Sequence, residues 1–234
     1  MRLMKWGMGA ASCLLLVACG EQPGSPQGEQ VQQIVADAPD EVAVEGPERV
    51  ILAFGDSLFA GYDLETDEGY PEELQRVLRR RGINAKVIDA GVSGDTTAAG
   101  LQRLDFVLDN LPGEVDLALV ELGGNDLLRG IAPEQTKANL SQIIEKVQAR
   151  GLPVVLMGMR APPNGGPQFQ QQFDAIYPAL AKQYGTTLVP FFMQVLAEDP
   201  SLLLEDHIHP TAEGVQAMVA AQADTIVAAL PAEE

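Results

Sequence analysis

The sequence predicts an α/β domain, a three-layer α/β/α sandwich built on a parallel five-stranded sheet. Three observations carry that expectation. Short apolar runs occur at 50–54, 86–89, 115–122, 154–159 and 187–189 with little polar–apolar alternation. Strands that are apolar on both faces belong to sheets covered on both sides, as parallel sheets are. Amphipathic segments of helical length separate or follow these runs, at 69–81, 96–110, 133–150, 168–184 and 211–230. Finally, proline and glycine sit where helices start and stop.

Taken in order, the first run ends abruptly at Gly55 and leads through Asp56-Ser57 toward the first helix. Pro71 suits the first turn of that helix and Gly82 its end, while Arg79-Arg80-Arg81 reads as a solvated terminus favoured by the helix dipole. Pro133 opens the third helix, Gly151 closes it, and Gly185 closes the fourth. The regular pattern covers roughly 185 residues, enough for one domain with a substantial core. No internal repeat is present.

The amino terminus has a different character. Arg2 and Lys5 precede an apolar stretch ending at Ala18, too short to span a bilayer and laid out like a secretory signal over 1–18. Leu16-Val17-Ala18-Cys19-Gly20 resembles the bacterial lipobox, which implies lipidation of Cys19, anchoring to a membrane and location in the cell envelope, with Gly20 favouring the outer membrane. Residues 21–46 are rich in Gln, Glu, Pro, Gly and Ala, so 19–46 reads as a lipidated cysteine and disordered tether, and 47–234 as the folded domain. Such a tether spans on the order of 30 Å.

Composition excludes several classes. Cys13 lies in the signal and Cys19 at the anchor, so the folded part has no disulfide, no cysteine-ligated zinc and no cysteine nucleophile. The chain carries 33 acidic against 15 basic residues, a net charge of −18. That field disfavours nucleic acid and anionic lipid surfaces as partners.

In open parallel sheets, chemistry gathers at the carboxyl ends of the strands. After the first run stands Gly55-Asp56-Ser57, after the second "AGVSGDTT", after the third "GGND", and before the last helix "DHIHP". A lone Gly-Asp-Ser is common turn material. A serine becomes a nucleophile only if a base takes its proton, and the chain's two histidines, His207 and His209, both lie in the fourth segment. Asp206 can reach back to His209 Nδ1 and leave Nε2 for Ser57, which favours His209 over His207 as base. Oxyanion donors are available from the Ser57 N–H, the Gly94 N–H and the Asn125 carboxamide.

"FGDSL", "GVSGDTT", "LGGND" and "DHIHP" match, in order, the four blocks of the SGNH (GDSL) hydrolase superfamily. "GDSLFAGY", "LGGNDLLRGI" and "LVPFFMQVL" resemble most its bacterial thioesterase/lysophospholipase/arylesterase type. The resemblance implies a flavodoxin-like sheet and hydrolysis of small acyl or aryl esters, lysophospholipids or thioesters. It assigns Ser57 as nucleophile, Asp206 and His209 as the rest of the triad, and Ser57, Gly94 and Asn125 as the oxyanion hole. No cofactor or metal is required, and a monomer is the default. The Gly-x-Ser-x-Gly elbow of ordinary α/β-hydrolases is absent.

Substrate-binding candidates are Asp56, Leu127, Leu128, Ile131 and Pro162. Asp56 either holds the nucleophile loop by hydrogen bonds or merely starts a turn. Residues 127–131 form a flap in related enzymes, and the alternative is an ordinary loop with two leucines turned inward. "RAPPNGGP" at 160–167 should border the pocket, and Phe191, Phe192 and Met193 read mostly as core. Competing functions are an acetyl esterase of carbohydrates in the same superfamily, a non-catalytic lipid- or glycan-binding lipoprotein, and a metallohydrolase using Asp206, His207 and His209. The last is a crowded ligand set without a fourth member.

Overall fold

The computed structural model describes residues 43–232. The expected signal over 1–18, Cys19 and the tether as far as residue 42 lie outside the described residues. Five strands are present: β1 (Arg49–Gly55), β2 (Ala85–Gly91), β3 (Leu117–Val120), β4 (Val154–Met157) and β5 (Thr187–Val189). They form one sheet in the order β2-β1-β3-β4-β5, and every pairing is parallel. This is the flavodoxin-like order, whose topological switch point lies between β1 and β3.

The central strands explain the unalternating runs. Every residue of β3 and β4 is buried, and Ile51 to Phe54 of β1 are wholly inaccessible. The edge strands β2 and β5 are only partly covered.

The longer helices are α1 (Tyr70–Arg80), α2 (Thr97–Asp109), α4 (Pro133–Gln148), α5 (Pro167–Asp174), α6 (Ile176–Tyr184) and α8 (Ala212–Ala229); α3 (Gly124–Leu128) and α7 (Gln194–Glu198) are short. Right-handed crossovers put the β1-to-β2 helix on one face and those running toward β5 on the other. Accordingly α1 packs on α8, while α2, α4 and α6 form the second layer. Helix α1 shows how sequence sets the packing. Tyr70, Leu74 and Leu78 recur every four residues and are fully buried. Buried Gln222 of α8 then accepts from Tyr70 Oη at 2.7 Å and donates to the Phe192 carbonyl at 2.8 Å.

Three features depart from expectation. The helix expected over 168–184 is interrupted at Ala175, because Pro178 has no N–H to donate to the carbonyl four residues back, that of Asp174. Residues 124–128, expected to include the start of a flap or loop, form α3. The basic run is not merely solvated: Arg80 pairs with Glu73 at 3.0 Å, Arg81 with Asp224 at 2.6 Å, and Arg79 donates to the Ala85 carbonyl.

Candidate active site

The site assembles at the switch point, from segments that leave β1, β2 and β3 and one that enters α8. Chain direction reverses sharply after Gly55. Asp56 Oδ1 accepts the Leu58 N–H at 3.1 Å, and the Asp56 carbonyl accepts the Ala60 N–H at 3.0 Å. This short-range bonding of an aspartate to its own turn raises Ser57 at the end of the strand. Ser57 is 9% exposed, and its Oγ lies 2.8 Å from His209 Nε2.

His209 reaches Ser57 across 152 residues of sequence because a tight loop delivers it. The Leu204 N–H donates to the His209 carbonyl at 2.8 Å and the His207 N–H to the Leu204 carbonyl at 3.0 Å. His207 takes a left-handed φ of 58° to make that closure possible. Asp206 Oδ1 accepts the N–H groups of Ile208 and His209 at 2.9 and 3.0 Å, and Oδ2 lies 2.6 Å from His209 Nδ1. An ionised carboxylate only accepts, so Nδ1 carries the proton and Nε2 is free to accept from Ser57 Oγ. Partial desolvation pushes the Asp206 carboxyl up, but the hydrogen bonds from His209 and Ile208 outweigh it and hold it down at about 2. The carboxylate therefore stays charged wherever the histidine can act as a base.

Two further segments face Ser57. Gly94, with φ at 86°, lies in the turn before α2, and Asn125 lies in the first turn of α3. The N–H groups of Ser57 and Gly94 have no acceptor among the described residues, and both residues line the cleft. Asn125 Nδ2 spends one hydrogen on Asp56 Oδ2 at 2.9 Å and keeps a second. The arrangement offers a deprotonatable hydroxyl, an oriented base and three N–H groups beside it.

The sequence pattern described as the GDSL-like Lipase/Acylhydrolase family matches residues 53–217. The chain belongs to that family. Esterase TesA of Pseudomonas aeruginosa is 40% identical over 163 residues, covering 69% of this chain and 80% of the relative. An arylesterase of Vibrio mimicus is likewise 40% identical over 163 residues, covering 70% of this chain and 80% of the relative. Among solved structures, AlinE4, described as an SGNH-hydrolase family esterase, shares 58% identity at a TM-score of 0.68, covering 80% of this chain and all of that one.

The cleft of this GDSL hydrolase has a volume of about 660 Å³. Its walls are largely apolar, contributed by Leu58, Leu127, Leu128, Met159, Pro162 and Met193. Leu128 is 64% exposed, so an apolar side chain stands in water at the rim. Arg160 also borders the cleft, with its guanidinium 5.3 Å from the centre of the Phe191 ring. Of the three residues expected mostly in the core, Phe192 is buried, whereas Phe191 and Met193 line the cleft.

Two of the substrate-binding candidates sit differently from the rest. Ile131 does not line the cleft: Gly130 turns the chain with φ at 63°, and the Ile131 N–H binds back to the Asp126 carbonyl. Asp56 borders the cleft and holds the nucleophile loop by hydrogen bonds, with Oδ1 accepting from the Leu58 N–H and Oδ2 from Asn125 Nδ2. Among the described residues, no group of three or more His, Cys, Asp and Glu could hold a metal ion.

The GDSL hydrolase also uses residues to which the sequence assigned no role. Tyr62 stacks its ring on His209, with centroids 4.1 Å apart. Asp126, fully buried, accepts from the Thr97 N–H at 2.8 Å, Thr97 Oγ1 at 2.5 Å and Thr136 Oγ1 at 3.0 Å. Glu121, also fully buried, accepts the Asp56 N–H at 3.2 Å. For Glu121 the available signal was an acidic residue inside an apolar strand run, and for Asp126 its place in the GGND segment.

Proposed function

We propose that this chain is a serine esterase that cleaves small acyl or aryl carboxylic esters through an acyl-enzyme on Ser57. Ser57 Oγ attacks the ester carbonyl carbon while its proton passes to His209 Nε2. The carbonyl π-electrons move to oxygen, and that oxyanion is held by the N–H groups of Ser57 and Gly94 and by Asn125 Nδ2. Its collapse breaks the bond to the alkoxy oxygen, and His209 returns the proton to the departing alcohol. Water, deprotonated by the same histidine, then attacks the acyl carbon; collapse breaks the bond to Ser57 Oγ, which takes the proton back from His209 as the acid leaves. Asp206 keeps the imidazole in the required tautomer and stabilises the imidazolium that forms.

The observation that carries this reading is the unbroken hydrogen-bonded chain from Asp206 through His209 to Ser57, at 2.6 and 2.8 Å. The apolar cleft supports an acyl or aryl group over a sugar, which disfavours the carbohydrate acetyl esterase alternative. The names of the relatives, esterase and arylesterase, support the reaction class. Lysophospholipids and thioesters would meet the same machinery.

Replacing Ser57 by Ala should lower kcat/KM on p-nitrophenyl butyrate about 10⁴-fold or more and abolish labelling by a fluorophosphonate, with the fold intact. Undiminished hydrolysis in the folded variant refutes the mechanism. The order of charged, apolar and small residues before Cys19 further supports a lipid-anchored envelope enzyme. A Cys19→Ala chain that stays in the membrane fraction would overturn that part.

A further inference from the structure

Among the described residues, Glu121 is the one wholly buried acid beside the nucleophile turn with an oxygen left unpaired. Its Oε2 accepts the Asp56 N–H, while Oε1 has no hydrogen-bond partner among the described residues. Asp56 stands next to it, 2% exposed, with Oδ1 taken by the Leu58 N–H and Oδ2 by Asn125 Nδ2. Both carboxyls are buried and the Glu121 carboxylate end touches the Asp56 backbone N–H at 3.2 Å, so charging both would place two like charges in one dry region at high cost. Donors converge on Asp56 and leave Glu121 Oε1 bare, so the negative charge belongs on Asp56 and the proton on Glu121. Burial, reinforced by the Asp56 charge, pushes the Glu121 carboxyl well above its ordinary range. Burial raises Asp56 too, against the opposing hydrogen bonds from the Leu58 N–H and Asn125 Nδ2.

The location of that proton decides what Asn125 can present. A carboxylate accepts and never donates, so it holds the NH₂ end of the Asn125 carboxamide and forbids the flipped orientation. A protonated Asp56 could donate to the carboxamide oxygen and bring the wrong end round. We propose that Glu121 is a positioning residue for hydrolysis: it keeps the proton of the buried pair, so that Asp56 remains an acceptor and Asn125 keeps an N–H for the oxyanion. This rests on the reading of Asn125 as an oxyanion donor given above.

The test is a double-mutant cycle on p-nitrophenyl butyrate, with melting temperatures recorded to confirm folding. Asn125→Ala should lower kcat about 10²- to 10³-fold, the usual loss of one oxyanion donor. Full activity in that variant would sink the oxyanion reading itself. Asp56→Asn offers one carbonyl oxygen where two N–H donors need acceptors; kcat should fall about 10²-fold with KM within about twofold. In the Asn125→Ala background the same change should cost less than about threefold, because its target is gone. Glu121→Gln keeps a neutral side chain with an acceptor for the Asp56 N–H, and should retain kcat within about threefold; Glu121→Leu should lose it about 10-fold or more. An Asp56→Asn loss that persists undiminished without Asn125, or a folded Glu121→Leu enzyme with full kcat, overturns the relay.

Discussion

Gly91→Ala tests how tightly the nucleophile turn is set. Gly91 ends β2, opposite Gly55 at the end of β1. A Cβ there would lie 2.5 Å from Ala60 N, 2.8 Å from the Asp56 carbonyl oxygen and 3.0 Å from Phe59 C. Ordinary van der Waals contact begins at 3.4 Å, so the closest pair is about 0.9 Å too near. All three neighbours are backbone atoms of the turn that carries Ser57, and the Ala60 N–H to Asp56 carbonyl bond is among those that would move. No flexible side chain can yield in their place. Overpacking of this kind costs about 1–3 kcal/mol. At about 2–4 °C per kcal/mol for a domain of this size, the melting temperature should fall by roughly 2–12 °C. Ser57 Oγ would leave its 2.8 Å contact with His209 Nε2 by an appreciable fraction of an ångström. A misplacement of that order lowers kcat/KM about 10²-fold. Gly113→Ala makes the same chemical change where nothing lies within 4 Å. Calorimetry and p-nitrophenyl butyrate kinetics on both variants decide the matter. A Gly91→Ala enzyme that matches Gly113→Ala in both measurements refutes the reasoning.

Asp126→Asn and the acid limb of stability supply two more checks. Asparagine cannot accept from Thr97 N–H, Thr97 Oγ1 and Thr136 Oγ1 together through its single carbonyl oxygen, so at least one buried donor loses its partner. The expected cost is about 1–3 kcal/mol in urea unfolding, with a fall in kcat; unchanged values for both would contradict the bonding described. The carboxyl of Asp206 is depressed to about 2 in the fold against about 3.9 in an unfolded chain, so its stabilising contribution is full above about pH 4 and vanishes as the pH falls through 2. The gap in melting temperature between wild type and Asp206→Asn should therefore narrow between pH 4 and 2, and a constant gap counts against the assignment.

Periodicity made the sheet and its helices legible because the apolar runs belong to strands buried on both faces. The triad and oxyanion candidates Ser57, Gly94, Asn125, Asp206 and His209 were legible for a different reason. Ser57, Gly94 and Asn125 follow strand ends and Asp206 and His209 sit in the loop entering α8, where small and polar residues have few other uses; four of the five line one cleft and Asp206 reaches it through His209. What escaped the sequence depends on partners remote along the chain. Glu121 and Asp126 are ordinary acids until Asp56, Thr97 and Thr136 surround them. The stacking of Tyr62 on His209 joins residues that no local pattern connects. The interruption at Ala175 was within reach, since Pro178 stands in the sequence, but amphipathic spacing continues across it and hid the missing hydrogen bond.

The distribution of polar contacts around Ser57 explains why four separate blocks act as one site. No single turn holds both a nucleophile and its full set of oxyanion donors; these leave β1, β2 and β3 separately. Apolar packing beneath them resists compression but does little to fix orientation, because dispersion is nearly indifferent to small rotations. Directional bonds supply what packing lacks. Arg103 of α2 donates to the Gly55 carbonyl at 2.8 Å and to Asp95 Oδ2 at 2.6 Å, tying the end of β1 to the turn after β2. Asp126 ties the start of α2 to α3, and Asp56 ties the nucleophile turn to Asn125. Each tie crosses from one strand-end segment to another, so each sets a distance that the local turn alone would leave free. Burying these charges is costly on its own terms. Their placement between segments that must meet at Ser57 accounts for that cost better than any contribution to the stability of the sheet.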